Sequence, residues 1–290
     1  MNKSKEQQQA RLAQIKAQWD QRRAIGKTLG RIKTKIGVYS AKGGVGKTTV
    51  AVNLATHIAS KGYNVGLLDA DIDTPNAAKV FGGDAAPSVK EGRITPALAF
   101  GVKVVSMSFF QQNEEEAIIW RGPMIHNAIN QFLQMTEWGD LDFLVVDMPP
   151  GTSDSPLTVM QVLSMDGFVV VTTPQKLAAL DAKRSINMIK KLNVEVLGVV
   201  ENYTSDMFGT GAGPAISADM DLAFLGYLAL RPDYQDDSQP TVLVSEAVRG
   251  EYDKLWEGVS ARLFDLGVMP EQASEKAEAD AAQPDAESAK

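Results

Sequence analysis

The sequence predicts an α/β fold, a mostly parallel sheet with helices on both faces, and three observations predict it. Apolar, β-branched runs alternate with helix-period segments from residue 35 onward, the pattern of strands buried on both sides. A glycine-rich turn joins the first run to the first helical segment. Carboxylates and an amide close several runs, and ligands of such sheets gather at the carboxyl ends of the strands.

The strand candidates, in order, are Lys35–Ser40, Asn64–Asp69, Val102–Met107, Phe143–Asp147, Phe168–Thr173, Val194–Glu201 and Phe224–Leu228. Helical patterns cover Thr48–Lys61, Ile125–Gln134 and Leu177–Leu192. Residues 1–34 read as a basic arm in which Leu12, Ile15 and Trp19, then Ile25, Leu29 and Ile32, fall at helical spacing; the reading is a helix lying on its own domain or on a second subunit, and the alternative is an arm for an acidic partner or nucleic acid. Residues 35–268 form the body of the chain. From residue 269 the chain is rich in Ala, Glu, Asp and Gln and reads as a disordered acidic tail.

Charge and composition exclude several function classes. Residues 1–35 hold ten Lys/Arg and two Asp/Glu, net +8; the whole chain is −7, which leaves −15 on the rest. An acidic body disfavours a broad nucleic-acid surface. No apolar run approaches the roughly 20 residues that span a bilayer, and the polar N-terminus lacks an apolar signal core, so the expected location is cytoplasmic, with no membrane partner. There are 0 cysteines, which removes thiolate nucleophiles and all-cysteine metal sites. His57 and His126 are the only histidines and are read as structural.

The glycine turn is Ser40-Ala41-Lys42-Gly43-Gly44-Val45-Gly46-Lys47-Thr48-Thr49. Strand, glycine turn, Gly-Lys-Thr and helix form the phosphate-binding loop arrangement. Its glycines leave room for a phosphate chain, toward which backbone N–H groups from Gly43 to Thr49 can point. The following helix adds unpaired N–H groups and the positive end of its dipole. Lys47 is expected at the β- and γ-phosphates and the Thr48 hydroxyl at Mg²⁺. The ligand is therefore ATP with Mg²⁺. No Asn-Lys-x-Asp sequence is present to read guanine.

Two further strand ends supply the remaining chemistry. Asp69-Ala70-Asp71-Ile72-Asp73 closes the second strand, and hydrolysis needs carboxylates to orient water and complete the metal shell. Phe143-Leu144-Val145-Val146-Asp147 is an apolar strand that delivers a carboxylate near Mg²⁺, so the metal set is Thr48, Asp71 and Asp147. The loop Met148-Pro149-Pro150-Gly151-Thr152 follows, with the Gly151 N–H as a γ-phosphate contact and Asp154 beyond it. Asn202, closing Val199-Val200-Glu201-Asn202, carries an amide that can donate to and accept from an adenine edge.

The loop departs from G-x-x-x-x-G-K-[ST] by Ala41 and by a second lysine, Lys42, and in this it resembles the deviant phosphate-binding loop of the MinD/ParA/NifH-like ATPases. That resemblance implies that Lys42 reaches a partner subunit's nucleotide and that Asp71 orients the attacking water. Trp120-Arg121-Gly122-Pro123-Met124, Trp138-Gly139-Asp140-Leu141-Asp142, Asp147-Met148-Pro149-Pro150-Gly151-Thr152-Ser153-Asp154, Leu68-Asp69-Ala70-Asp71-Ile72, Val171-Thr172-Thr173-Pro174-Gln175 and Val200-Glu201-Asn202 together resemble the Mrp-type ATPases over residues 35–245. That family implies an ATP-binding homodimer carrying iron–sulfur clusters to client apoproteins. Its C-x-x-C pair is missing here: Glu201-Asn202-Tyr203-Thr204-Ser205-Asp206-Met207-Phe208-Gly209 runs on to a glycine-rich segment. The chain thus supplies no iron–sulfur ligands. Its first switch also differs, with Asp73-Thr74 in place of the usual Tyr-Gly. The expected function is an ATP-hydrolysing dimeric switch, slow in turnover, that assists iron–sulfur or metalloprotein assembly. Any cluster would be held by partner cysteines, in a homodimer or a mixed dimer with a cysteine-bearing relative. The alternative is a MinD/ParA-like positioning or regulatory ATPase.

Overall fold

The computed structural model describes residues 16, 23, 25–71, 75–81, 86–106, 122–236 and 238–271, with backbone alone for 122–126 and 131. In chain order the elements are β1 (Ile32–Tyr39), α1 (Lys47–Ser60), β2 (Val65–Asp69), α2 (Ala77–Val80), β3 (Ser88–Lys90), β4 (Arg93–Thr95), β5 (Ala97–Ala99), β6 (Val102–Ser106), α3 (Gly122–Met135), β7 (Leu141–Asp147), α4 (Asp154–Leu163), β8 (Gly167–Thr172), α5 (Lys176–Lys191), β9 (Val196–Thr204), α6 (Ala212–Met220), β10 (Phe224–Ala229), α7 (Thr241–Val244) and α8 (Glu246–Asp265). A 3₁₀ turn at Pro232–Gln235 precedes α7.

Eight strands make one sheet in the order β10-β9-β8-β1-β7-β2-β6-β5. Every pair is parallel except β5 with β6. All seven predicted strands are present. β9 runs on to Thr204, β1 begins three residues early at Ile32, and the short edge strand β5 and the β3–β4 hairpin are additions. β7 is one of the two central strands and all seven of its residues are buried, which is why Phe143–Val146 reads as an unbroken apolar run.

The two faces of the sheet carry separate cores. On one, α1 and α8 pack through residues such as Leu54, Ile58, Tyr252, Leu255 and Val259 against Ile36, Val38 and Val145. On the other, α3, α4 and α5 bring Leu133, Val159, Leu163, Ala182 and Ile186 against Leu144, Val146 and Val170. Helix α5 buries Ala178, Ala182, Ser185, Ile186 and Ile189, the narrow stripe that its spacing predicts. Each fully buried Leu, Ile or Val side chain contributes about 1.5–3 kcal/mol. Phe143 joins the sheet to α8 edge-on, 5.3 Å from the Trp256 ring, with Tyr63 at 5.1 Å.

Beyond α8 the chain turns under the sheet. Thr34 donates its hydroxyl to the Val268 carbonyl at 2.5 Å, and Val268 and Met269 pack on the first core. In the stretch before β1, residues 25–29 are helical, with Ile25 buried in the second core and Leu29 packed against it. The Asp73-Thr74 switch positions, Trp120-Arg121 and the acidic segment from residue 272 lie outside the described residues. The order of strands around β1 places the loops after β1 and β7 at a crevice: β1 sits between β7 and β8, and its successor in sequence, β2, lies beyond β7.

Candidate functional site

The crevice holds the glycine turn. It leaves β1 at Ser40 and enters α1 at Lys47, with Gly44 at φ +74° and Gly46 at φ +82°. A side chain at Gly46 is excluded twice over, by that left-handed backbone and by space. A Cβ there would stand 2.3 Å from Asn202 Nδ2 and 2.8 Å from the Tyr203 hydroxyl. The loop's own N–H groups are braced from outside: Ser185 of α5, fully buried, accepts from the Ala41 N–H at 2.7 Å. Lys47 is buried at the head of α1. Lys42 extends to Gln175, with Nζ 3.2 Å from Oε1.

The parallel register brings the carboxylates together. Asp69 and Asp147 are Cα partners at the ends of β2 and β7, and both side chains are completely buried. Asp147 Oδ2 accepts the Thr48 hydroxyl at 2.5 Å, while its Oδ1 is buried with no partner. Burial pushes the Asp147 carboxyl up to about 6, against the pull of Lys47 and of the Thr48 hydrogen bond, with Asp71 adding repulsion. Asp69 is pushed up to about 8 by burial and then by the charge of Asp147. Its oxygens are taken by the chain itself: Oδ2 accepts from the Ser106 hydroxyl at 2.9 Å and the Ala77 N–H at 3.0 Å, and Oδ1 from the Asp71 N–H at 3.2 Å. Asp69 therefore shapes the turn that carries Asp71, which is itself buried.

Mg²⁺ suits this corner. A buried carboxylate oxygen lacking a partner beside a threonine hydroxyl is the hard-oxygen donor set that Mg²⁺ takes from a protein, the remainder coming from water and phosphate. Among the described residues no group of three His, Cys, Asp or Glu is arranged to hold a metal ion.

Two other predicted residues take up contacts that the sequence did not announce. Gly151, at φ +89°, accepts the Tyr39 hydroxyl on its carbonyl at 2.5 Å. That bond ties the loop after β7 to β1. Asn202 is buried and donates Nδ2 to the Val45 carbonyl at 2.9 Å, so one of its amide hydrogens serves the loop rather than a ligand. Beside it opens a cavity of about 590 Å³ lined by Thr49, Asn202, Tyr203, Arg231, Pro232 and Tyr234. The loop after β10 was missed in the sequence; the signal was available, because that loop also follows a strand's carboxyl end. Arg231 is held there by Glu251 at 2.6 Å.

Glu201 was also undervalued. Its fully buried carboxylate accepts the N–H groups of Gly211, Ala212 and Gly213 at 3.1, 3.3 and 2.9 Å, capping α6. Between β9 and that cap lies a tight hairpin, with Ser205 and Gly209 bridged and Met207 and Phe208 exposed. His57 is buried, with Nε2 3.3 Å from Asp253 Oδ1 but without hydrogen-bonding alignment. The His126 side chain lies outside the described residues.

A family model described as ParA, NUBPL iron-transfer P-loop NTPase, matches residues 31–263. The chain belongs to this family. As a P-loop NTPase of this kind it is similar to the iron-sulfur cluster carrier protein of Synechocystis sp., 44% identical over 219 residues, 70% of this chain and 62% of that one. The chain thus spans under two thirds of that relative's length. The iron-sulfur cluster carrier protein of Methanocaldococcus jannaschii is 38% identical over 247 residues, 80% of this chain and 85% of that one. Among solved structures, the nucleotide-binding protein of Archaeoglobus fulgidus in complex with ADP superposes with a TM-score of 0.66 at 34% identity, over 76% of this chain and 91% of that one. The septum site-determining protein MinD of Pyrococcus horikoshii, complexed with Mg-ADP, shares the fold at a TM-score of 0.59 and 20% identity, over 77% of this chain and 95% of that one. The resemblance to Mrp-type ATPases drawn from the motifs is thereby borne out, as is the parallel α/β architecture. The family sequence here carries no cysteine at all.

Proposed function

We propose that this chain is an ATP-binding, ATP-hydrolysing dimeric switch of the Mrp type that assists iron–sulfur cluster or metalloprotein assembly, with any cluster held by a partner's cysteines. The observation that carries the nucleotide half is the Thr48–Asp147 pair at the mouth of the loop, with Asp147 Oδ1 buried and unpartnered beside it. Lys47 and the loop N–H groups hold the phosphates, Thr48 and Asp147 hold the ion, and the base enters the cavity between Asn202, Tyr203 and the Arg231–Tyr234 turn. Mg²⁺, when bound, neutralises charge developing on the phosphates. Asp71 orients the water, and Gly151 senses the γ-phosphate through its N–H. Two subunits close with Lys42 released from Gln175 to the partner's nucleotide.

The assembly half rests on the relatives, which are named as iron-sulfur cluster carriers. The hairpin at Ser205–Gly209 offers a thioether, a carboxylate and a ring where a cluster needs thiolates, so the ATPase and the cluster ligands reside on different chains. An anaerobic pull-down of tagged Asp71→Ala protein with ATP, read by mass spectrometry, tests this. Recovery of a cysteine-bearing ATPase relative or a metalloenzyme supports assembly. Recovery of nucleoid or membrane-associated proteins alone turns the reading to a positioning ATPase.

A further inference from the structure

The last residue of β1 reaches across to the loop that follows β7. Tyr39 is fully buried, although it stands next to Ser40, where the phosphate loop begins. Its backbone is paired with Val170 in the sheet, and its ring packs edge-on against Phe168, with centroids 6.3 Å apart. The hydroxyl donates to the Gly151 carbonyl at 2.5 Å, across 112 residues of chain. The Met188 sulfur of α5, at 3.4 Å, is the other acceptor beside it. A thioether accepts weakly, so the single hydrogen goes to the carbonyl. Burial raises the phenol above its ordinary range, which keeps that hydrogen on the oxygen.

A buried phenol needs an acceptor, and many would serve. The choice of this carbonyl has a geometric consequence. Among the described residues no peptide bond is cis, and in a trans peptide the C=O and the N–H point in opposite directions. With the Gly151 carbonyl drawn inward to Tyr39, the N–H of the same peptide, that of Thr152, is turned away from the core. Thr152 is exposed, and its N–H meets no acceptor among the described residues. Gly151 sits at φ +89°, in the region open to glycine, and its own N–H belongs to the preceding peptide. Clamping the carbonyl therefore fixes one of the two peptide units that meet at Gly151, and the backbone angles of that glycine set the other from it. The anchor is firm, because β1 is bonded to β7 on one side and to β8 on the other.

We infer that Tyr39 is a positioning residue for ATP hydrolysis: its hydroxyl holds the Gly151–Thr152 peptide so that the backbone N–H groups of this loop are presented to the terminal phosphate of ATP. The inference rests on the reading of the loop after β7 as the one that meets the γ-phosphate. It adds that the direction of this loop is set by the strand that also delivers the phosphate loop, so the two keep one spacing.

The test is Tyr39→Phe in the full chain, which keeps the ring and removes only the oxygen. Mg²⁺-dependent phosphate release gives kcat, and calorimetry with ADP and with a non-hydrolysable ATP analogue gives the two affinities. The value of kcat should fall about tenfold and the analogue should bind severalfold more weakly, the effect of one lost hydrogen bond, while ADP binds within about twofold of the parent. A merely structural role would lower the melting temperature without separating the analogue from ADP. Met188→Leu changes the packing beside the same hydroxyl at nearly constant volume and leaves the tether in place, so kcat and both affinities should stay at parental values. An unchanged kcat in Tyr39→Phe, an equal loss of affinity for ADP and the analogue, or the same deficit in Met188→Leu overturns the role of Tyr39 and leaves the nucleotide site standing. A parent protein that neither binds nor hydrolyses ATP removes the nucleotide reading itself, and this inference with it.

Discussion

The side chain of Asn202 at the end of β9 donates to the carbonyl of Val45 in the phosphate loop, 2.9 Å away. The neighbouring Glu201 caps α6. Two adjacent residues of one strand therefore hold the nucleotide loop and the helix beyond the Ser205–Gly209 hairpin. Asn202→Ala should weaken ATP binding about tenfold, the value of one buried hydrogen bond of about 1.4 kcal/mol, and lower the melting temperature of the nucleotide-free protein. Calorimetry with ATP and thermal unfolding without it check the two effects; unaltered affinity would show that the amide has no part in shaping the loop.

Asp147 separates stability from activity. Its carboxyl is pushed up to about 6 chiefly by burial, and one oxygen has no partner, so the protein without nucleotide carries the cost of a buried charge. Asp147→Asn should fold at least as stably as the parent while Mg²⁺-dependent ATP hydrolysis falls by about 100-fold or more. Denaturant midpoints and phosphate-release rates measured on the same preparations decide it.

Lys47→Ala should abolish detectable ATP binding while preserving the circular dichroism of the parent, because the side chain's partners are to be the phosphates and not the core. A variant that binds ATP as tightly as the parent would falsify the assignment of the loop.

Gly46→Ala tests the contact between loop and strand. The left-handed backbone at φ +82° alone costs a non-glycine residue about 1–2 kcal/mol, and the Cβ meets Asn202 Nδ2 at 2.3 Å. A lowered denaturation midpoint together with lost ATP binding is expected; pairing the change with Asn202→Ala removes the shorter of the two clashes but leaves the Tyr203 hydroxyl at 2.8 Å, so the double variant should be destabilised by less than the sum of the two single changes, without regaining affinity.

His57 gives stability a pH dependence. Burial, followed by the nearby Lys61, holds its imidazole below its usual range, with Asp253 acting in the opposite sense. The unfolded chain then binds a proton that the folded chain refuses, so this contribution is intact above the unfolded value of about 6.5 and is lost as pH falls through it. Urea unfolding between pH 8 and 5.5 should show that decline, and His57→Gln should flatten it.

Much of this was legible in the chain. The strand β7 and the glycine turn could be read because their constraints are local: a two-sided burial forces an apolar run, and a phosphate cradle forces glycines before Lys47. The ends of strands pointed to Asp71, Asp147 and Asn202 for the same reason. What the sequence concealed depends on register and on distant chain. Nothing in Asp69 marks it as a brace for Ser106 and Ala77 while Asp147 faces Thr48; that division follows from the pairing of β2 with β7 and β6. The partnership of Asn202 with Val45 spans 157 residues, and that of Ser185 with Ala41 spans 144, so no spacing rule could find them. Arg231 was missed although its strand, β10, was read correctly: it lies in the loop beyond the strand's carboxyl end, and its pairing with Glu251 of α8 is 20 residues distant and follows no spacing rule.

The bond between Thr34 and Val268 has a further meaning. It brings the first strand and the segment after the last helix side by side, at the end of the sheet away from the phosphate loop. The stretch entering the first strand and the stretch leaving the last helix thus meet at a seam at that end of the sheet. A short linker across that seam, with new ends opened elsewhere on the surface, would reorder the genes' reading of the domain without moving any residue that faces the nucleotide. The position of ATP in this protein belongs to the sheet, and the order in which the strands are synthesised is incidental to it.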